Sequence, residues 1–236
     1  SERSRGLGDV YKRQIDGKLM NKENIMPTDT HVHEYAFFDE EECNSIKDYC
    51  HNVEKKLIDE GFDKNSGHES LGDVVTTVNY FRYNFFADHP VFAERFVDCL
   101  RKTNQYLEWP VVCQSWVNVY HKGQGIGWHN HQGTMGRSFS ANIFIDGPTQ
   151  PGITFKQFGE KAKVIENRKG YIQIFPCELM HMVPPTEEER ITIGITIHSY
   201  PSITKGLLNQ LAFNSKDYKG SITVSYTHLT LPTNVA

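Results

Sequence analysis

The sequence predicts a mainly β domain with flanking helices, an α+β arrangement in which the helices come first and a jelly roll follows. Two observations lead there. Ahead of Trp109, two runs place apolar residues at helical spacing. From Trp109 on, short alternating segments are separated by Gly and Pro turns, and about eight strands fit this pattern. Such strands fold as two facing sheets, with the N-terminal helices packed on one of them.

After a polar lead-in to about Tyr35, Phe38-Asp39-Glu40-Glu41-Glu42 reads as a helix start. Asp39 can cap the first turn, Glu42 completes a capping box, and the acidic charges sit at the positive end of the dipole. Ile46, Tyr49, Cys50, Val53 and Leu57 then recur on one face until Gly61 ends the run. A second helix follows Pro90, with Phe92, Phe96, Cys99, Leu100 and Leu107 as its apolar stripe. Between them, residues 67–88 are rich in Asn, Tyr and Phe; we expect a strand near 74–78 and core roles for the aromatics. Further strands are expected at 111–120, 137–145, 153–158, 163–166, 171–175 and 190–199, and a short closing helix at 202–213. In the first of these Trp116, Asn118 and Tyr120 share a face; in the second Ser138, Ser140, Asn142 and Phe144 do.

With 236 residues and 38% hydrophobic content, the chain is expected to form one globular domain over 20–223, with its jelly-roll core at about 109–200. Residues 1–14 and 224–236 look like translated linker sequence of the kind found at the ends of assembled environmental reads, so the natural start is expected at Met20 or Met26. The net charge of -4 gives no general attraction to nucleic acid or anionic membrane, although Lys156, Lys161, Lys163, Arg168 and Lys169 form a local basic cluster expected to be a solvated loop. Five cysteines with no CxxC pair fit reduced, buried thiols in a cytoplasmic protein. No run is apolar enough to span a bilayer.

Chemistry concentrates at Trp128-His129-Asn130-His131. Two imidazoles two residues apart on an extended segment face the same way, and His181, fifty residues on, can close a metal site from a neighbouring strand. Taken singly, each histidine reads as an ordinary core or surface residue. Neutral imidazole suits iron, zinc, copper and nickel alike, so the ligands alone do not select the metal. Arg190, nine residues beyond His181, opens the alternation Arg190-Ile191-Thr192-Ile193-Gly194-Ile195-Thr196-Ile197-His198. A planar guanidinium on a pocket wall binds a carboxylate bidentately. The alternative is a surface ion pair with Glu187, Glu188 or Glu189.

From about Phe37 to Tyr200 the chain resembles the iron(II)/2-oxoglutarate-dependent dioxygenases, close to the prolyl 4-hydroxylase-like branch and to oxygenases of viruses of marine bacteria. The family pattern is His-x-Asp, a long gap, His, then a basic residue about nine or ten positions on, often Arg-x-Ser/Thr. His129, His181 and Arg190-Ile191-Thr192 match it. The resemblance implies a double-stranded β-helix, iron(II) held by His129, His131 and His181, and 2-oxoglutarate with its distal carboxylate on Arg190 and Thr192. Asn118 and Tyr120 resemble the Asn-x-Tyr pair that contacts 2-oxoglutarate in the alkylated-base demethylases. Gly194 is expected to leave room in that pocket, and Trp116 and His198 to line it or to sit in the core. The implied activity is hydroxylation of a small molecule or of a protein side chain such as proline, with oxygen as co-substrate and ascorbate as a candidate reductant. Neither nucleic acid nor membrane is expected as a partner.

The departure is His131, where the pattern has Asp. Imidazole in place of carboxylate removes a negative charge from the ligand set. An all-histidine set also fits cupins, which share the fold. Gly123 lies six residues before His129, and Gly170 is followed by Pro176 and His181 in cupin-like order, but residues 132–136 lack the usual cupin glutamate. The alternatives are therefore a three-histidine cupin-type metal protein or dioxygenase not using 2-oxoglutarate, and a non-catalytic β-barrel binding module.

Overall fold

In the computed structural model, the described residues are 32–61, 74–78, 84–104, 111–131, 137–157, 159, 161–199 and 222–224. The order is β1 (His33–Ala36), α1 (Glu40–Asp59), β2 (Val75–Thr76), α2 (Phe85–Asp88), α3 (Val91–Thr103), β3 (Val111–Tyr120), β4 (Ile126–His129), β5 (Arg137–Asp146), β6 (Ile153–Lys156), β7 (Lys163–Ile165), β8 (Tyr171–Pro176), β9 (Met180–Val183), β10 (Arg190–Ser199) and β11 (Ile222–Val224). A large antiparallel sheet runs β1-β8-β5-β10-β3-β11, with β2 also paired to β3, and a small one runs β4-β9-β6-β7. This is the jelly roll the sequence predicts.

The strands form where they do because one face is almost wholly apolar. Ile191, Ile193, Ile195 and Ile197 on β10, Val117 and Val119 on β3, and Ile143 and Ile145 on β5 are all buried on the outer face of the large sheet. There they meet Cys43, Ile46, Cys50, Val53 and Leu57 of α1 and Phe96, Cys99 and Leu100 of α3. The capping box at the start of α1 forms as expected, with Asp39 accepting from the Glu42 N–H and Glu42 accepting from the Asp39 N–H. Gly61 follows the helix at φ 78°, a left-handed conformation in which glycine avoids a Cβ clash. Arg95 of α3 forms a fork-to-carboxylate pair with Glu42, at 2.7 and 2.9 Å, and so ties the two helices together.

Several elements differ from the sequence expectation. The polar lead-in contains β1, an edge strand whose residues alternate between half-buried and exposed against β8. The first site histidine lies on β4, while His131 lies just past its end; His181 is within β9, the strand paired with β4. The 153–158 strand ends at Lys156. Val224, placed in the C-terminal linker stretch by sequence, ends β11 in register with Val111. Leu107, the closing helix at 202–213 and residues 1–14 lie outside the described residues. All five cysteines are buried and unbridged, and burial pushes the Cys43 and Cys99 thiols up to about 11.

Candidate metal centre

The inner face of the large sheet looks toward the small sheet and is polar. Strand pairing sets Arg190 beside Tyr120, Thr192 beside Asn118 and Gly194 beside Trp116, and on the other side Thr196 beside Ser140. The period of two that sends the isoleucines outward sends all of these inward. Across from them, β4 and β9 pair His129 directly with His181. His131 is carried back toward the pair by a hydrogen bond from its own N–H to the Cys177 carbonyl, 2.9 Å.

Each of the three histidines offers a ring nitrogen, and these atoms lie within 4.8 Å of one another. His129 Nδ1 is 2.8 Å from the Gly127 carbonyl and His181 Nδ1 is 2.9 Å from the Leu179 carbonyl. A carbonyl can only accept, so each ring carries its proton on Nδ1 and its lone pair on Nε2. Burial, and then the neighbouring His129 and His131, hold the His181 pKa well below its usual value, against the Leu179 bond. His181 is thereby kept neutral, the condition under which imidazole ligates a divalent transition-metal ion.

Arg190 is 1% exposed. Its Nη1 donates to the Pro184 carbonyl at 3.3 Å and its Nη2 to the Pro151 carbonyl at 2.7 Å, while Nε has no partner among the described residues. The surface ion-pair alternative does not hold: Glu187 pairs with Lys122 and Glu189 with His51, and no carboxylate among the described residues pairs with Arg190. Burial lowers the guanidinium's pKa, offset by Tyr120, whose ring lies 5.8 Å from it. Burial in turn pushes the Tyr120 phenol up to about 12, against its hydrogen bond with Thr192 and the Arg190 charge. Asn118 Nδ2 donates to Thr192 Oγ1 at 3.2 Å, and Asn118 Oδ1 is buried with no partner among the described residues. A buried cation with an open Nε–H, beside the Thr192 hydroxyl, fits a carboxylate, which accepts from both.

Two expectations change. The room at Gly194 is taken by Trp116: a Cβ there would come within 2.5 Å of the indole. Trp116 is buried with its ring centre 6.1 Å from His131, so it lines the site, while the His198 side chain lies outside the described residues. Thr196 Oγ1, 3.5 Å from His131 Nδ1, and the buried Ser140 were not singled out by sequence, although counting by two from Arg190 reaches Thr196. Lys156, Lys161 and Lys163 of the basic cluster are exposed as expected, but Lys156 and Lys163 lie on β6 and β7 rather than in a loop, while Lys169 pairs with Glu40 at 2.7 Å and Arg168 stacks over Tyr171 at 3.7 Å.

By sequence, no family model and no curated protein matches the chain. By structure, it superposes on a Pseudomonas putida prolyl-4-hydroxylase with a TM-score of 0.53 at 15% identity, covering 73% of this chain and 95% of that one. The fold is that of the 2-oxoglutarate, iron(II) oxygenases. On this double-stranded β-helix oxygenase fold, the viral collagen prolyl hydroxylase of Paramecium bursaria Chlorella virus 1 gives a TM-score of 0.51 at 13% identity, over 73% of this chain and 98% of that one. An α-ketoglutarate-dependent carbocyclase of nogalamycin biosynthesis gives 0.52 at 13%, over 77% and 86%. One fold thus carries both hydroxylation and ring closure, so the substrate has to be argued from the site. Among the described residues, no helix is long and apolar enough to cross a membrane.

Proposed function

We propose that the chain is an iron(II)- and 2-oxoglutarate-dependent oxygenase that hydroxylates a small molecule or a protein side chain such as proline, releasing succinate and carbon dioxide. The observation that carries this reading is Arg190, a buried guanidinium with no carboxylate partner among the described residues and an unpaired Nε. A buried charge is costly without a counter-charge, and a bound dicarboxylate supplies one.

His129, His131 and His181 would hold iron(II), which supplies oxygen activation and oxidative decarboxylation of the keto acid when both are bound. Arg190 would bind the distal carboxylate, with Thr192 as a hydroxyl partner and Tyr120 as a flat wall against the guanidinium. Asn118, whose amide N–H donates to Thr192, would hold that hydroxyl in place for the carboxylate. Trp116 would exclude water beside His131 and limit the size of what approaches. Ascorbate as reductant and a cytoplasmic setting belong to this reading.

Anaerobic mixing with iron(II) and 2-oxoglutarate should give a weak visible charge-transfer band and, with oxygen, succinate. Absence of the band at saturating ligand would count against the reading. Arg190→Ala should abolish the band and leave iron binding intact.

A second reading is favoured by His131 itself: three imidazoles also make a cupin-type metal site that ignores 2-oxoglutarate. That protein would bind metal through the same histidines and show the same affinity with or without 2-oxoglutarate.

A further inference from the structure

The three histidines are not oriented in the same way. His129 and His181 face main-chain carbonyls, which accept and never donate, so their tautomers are fixed. His131 Nδ1 instead faces the hydroxyl of Thr196 at 3.5 Å. A hydroxyl can do either. If it donates to Nδ1, the ring proton moves to Nε2 and the ligand atom is blocked; if it accepts, Nε2 is bare and the hydroxyl proton needs another acceptor. Ser140 stands opposite Thr196 across the β10–β5 pair and on the same inner face. It is 1% exposed, and its Oγ has no partner among the described residues. Side chains directly opposed in an antiparallel pair are within reach of one another.

From this juxtaposition we infer that Thr196, backed by Ser140, is the positioning residue for His131, resting on the metal-centre reading above. In the metal-bound protein Thr196 accepts from His131 Nδ1–H, and Ser140 Oγ, open in this structure, turns to accept from Thr196; this holds Nε2 toward the cation shared with His129 and His181. Thr196 is 2% exposed, so solvent does not substitute for it. The arrangement also accounts for a histidine where the family pattern has Asp. A carboxylate binds a cation through either oxygen and has no tautomer to set, whereas an imidazole at this position needs a partner that sets one.

The test uses the full chain with cobalt(II) as the probe, followed by visible absorption and calorimetry. Thr196→Val keeps the shape and removes the hydroxyl; cobalt should bind about 10- to 100-fold more weakly, with an altered band. Thr196→Ser should restore both, which a role in packing alone would not require. In zinc-loaded wild-type protein, imidazole nitrogen NMR should place the His131 proton on Nδ1. A proton on Nε2 overturns the assignment whether or not the valine variant folds. Equal cobalt affinity and an unchanged band in wild type and Thr196→Val remove the role of Thr196 and leave the metal centre standing. Wild-type protein that takes up no cobalt removes both.

Discussion

The two faces of the large sheet are buried to the same degree and built for opposite purposes. On β10 the outward isoleucines at 191, 193, 195 and 197 are fully covered, and so, nearly, are the inward Arg190, Thr192 and Thr196. What separates the faces is polar satisfaction. Outside, Ser115 is the polar exception, and its hydroxyl donates to Asn84 and accepts from the Phe86 N–H. Inside, Asn118 Oδ1, Ser140 Oγ, Gln173 Oε1 and Arg190 Nε are buried without partners among the described residues. Off the sheet, Asn84 Nδ2 and His89 Nε2 have none among them either, but among the described residues of the sheet such atoms lie on the inner face. Burial alone therefore does not mark the site; buried polarity left open does.

Substitutions on the two faces should separate stability from binding. Ile195→Ala leaves a cavity against the helices and should cost about 2–5 kcal/mol in denaturant unfolding, with metal and 2-oxoglutarate binding unchanged in the folded fraction. Loss of metal binding at native conditions would show that the faces are coupled. Arg190→Met works the other way. Removing an unpaired buried cation should raise the stability of the metal-free protein by about 1–3 kcal/mol while 2-oxoglutarate binding is lost. If melting falls instead, Arg190 is structural. Gly194→Ala drives a Cβ into the Trp116 indole, and overpacking should cost about 1–2 kcal/mol. Its signature is a change in tryptophan fluorescence, which Ile195→Ala should not produce.

The outer face was legible because it repeats. The alternation of β10 and β3 gave their bounds directly, and the Asp39 to Glu42 spacing gave the start of α1. The small sheet was harder. β4 and β9 have four residues each, too few for a period to stand out, and they use Trp, His and Met where a core strand would use Val or Ile. The edge strand β1 alternates only between half-buried and exposed positions, so it read as a lead-in. Within the site, the three histidines and Arg190 were visible as residue types at a spacing. The pairings that give their neighbours a meaning, Gly194 with Trp116 and Thr196 with Ser140, depend on strand register, which no single strand encodes. Gly194 thus read as space for a ligand when it is space for an indole.

The smallest expected effect concerns the helical side alone. Chiefly through its hydrogen bond to Arg95, and against the cost of burial, Glu42 is held below the ordinary carboxyl value of about 4.5. A carboxylate with a depressed folded-state pKa contributes stability that is fully present above the unfolded value. That contribution is lost as pH falls from there through the folded value. The pair is partly exposed, so solvent screens it and the whole contribution should be about 1 kcal/mol or less. The stability gap between wild type and Glu42→Gln should accordingly be widest at neutral pH, begin to close below about 4.5, and vanish in stronger acid. Metal affinity measured at neutral pH should be the same in both proteins, because Glu42 ties α1 to α3 and touches nothing on the inner face. A gap that widens on acidification would mean that Glu42 is protonated in the folded state, and the helical layer would then need another anchor.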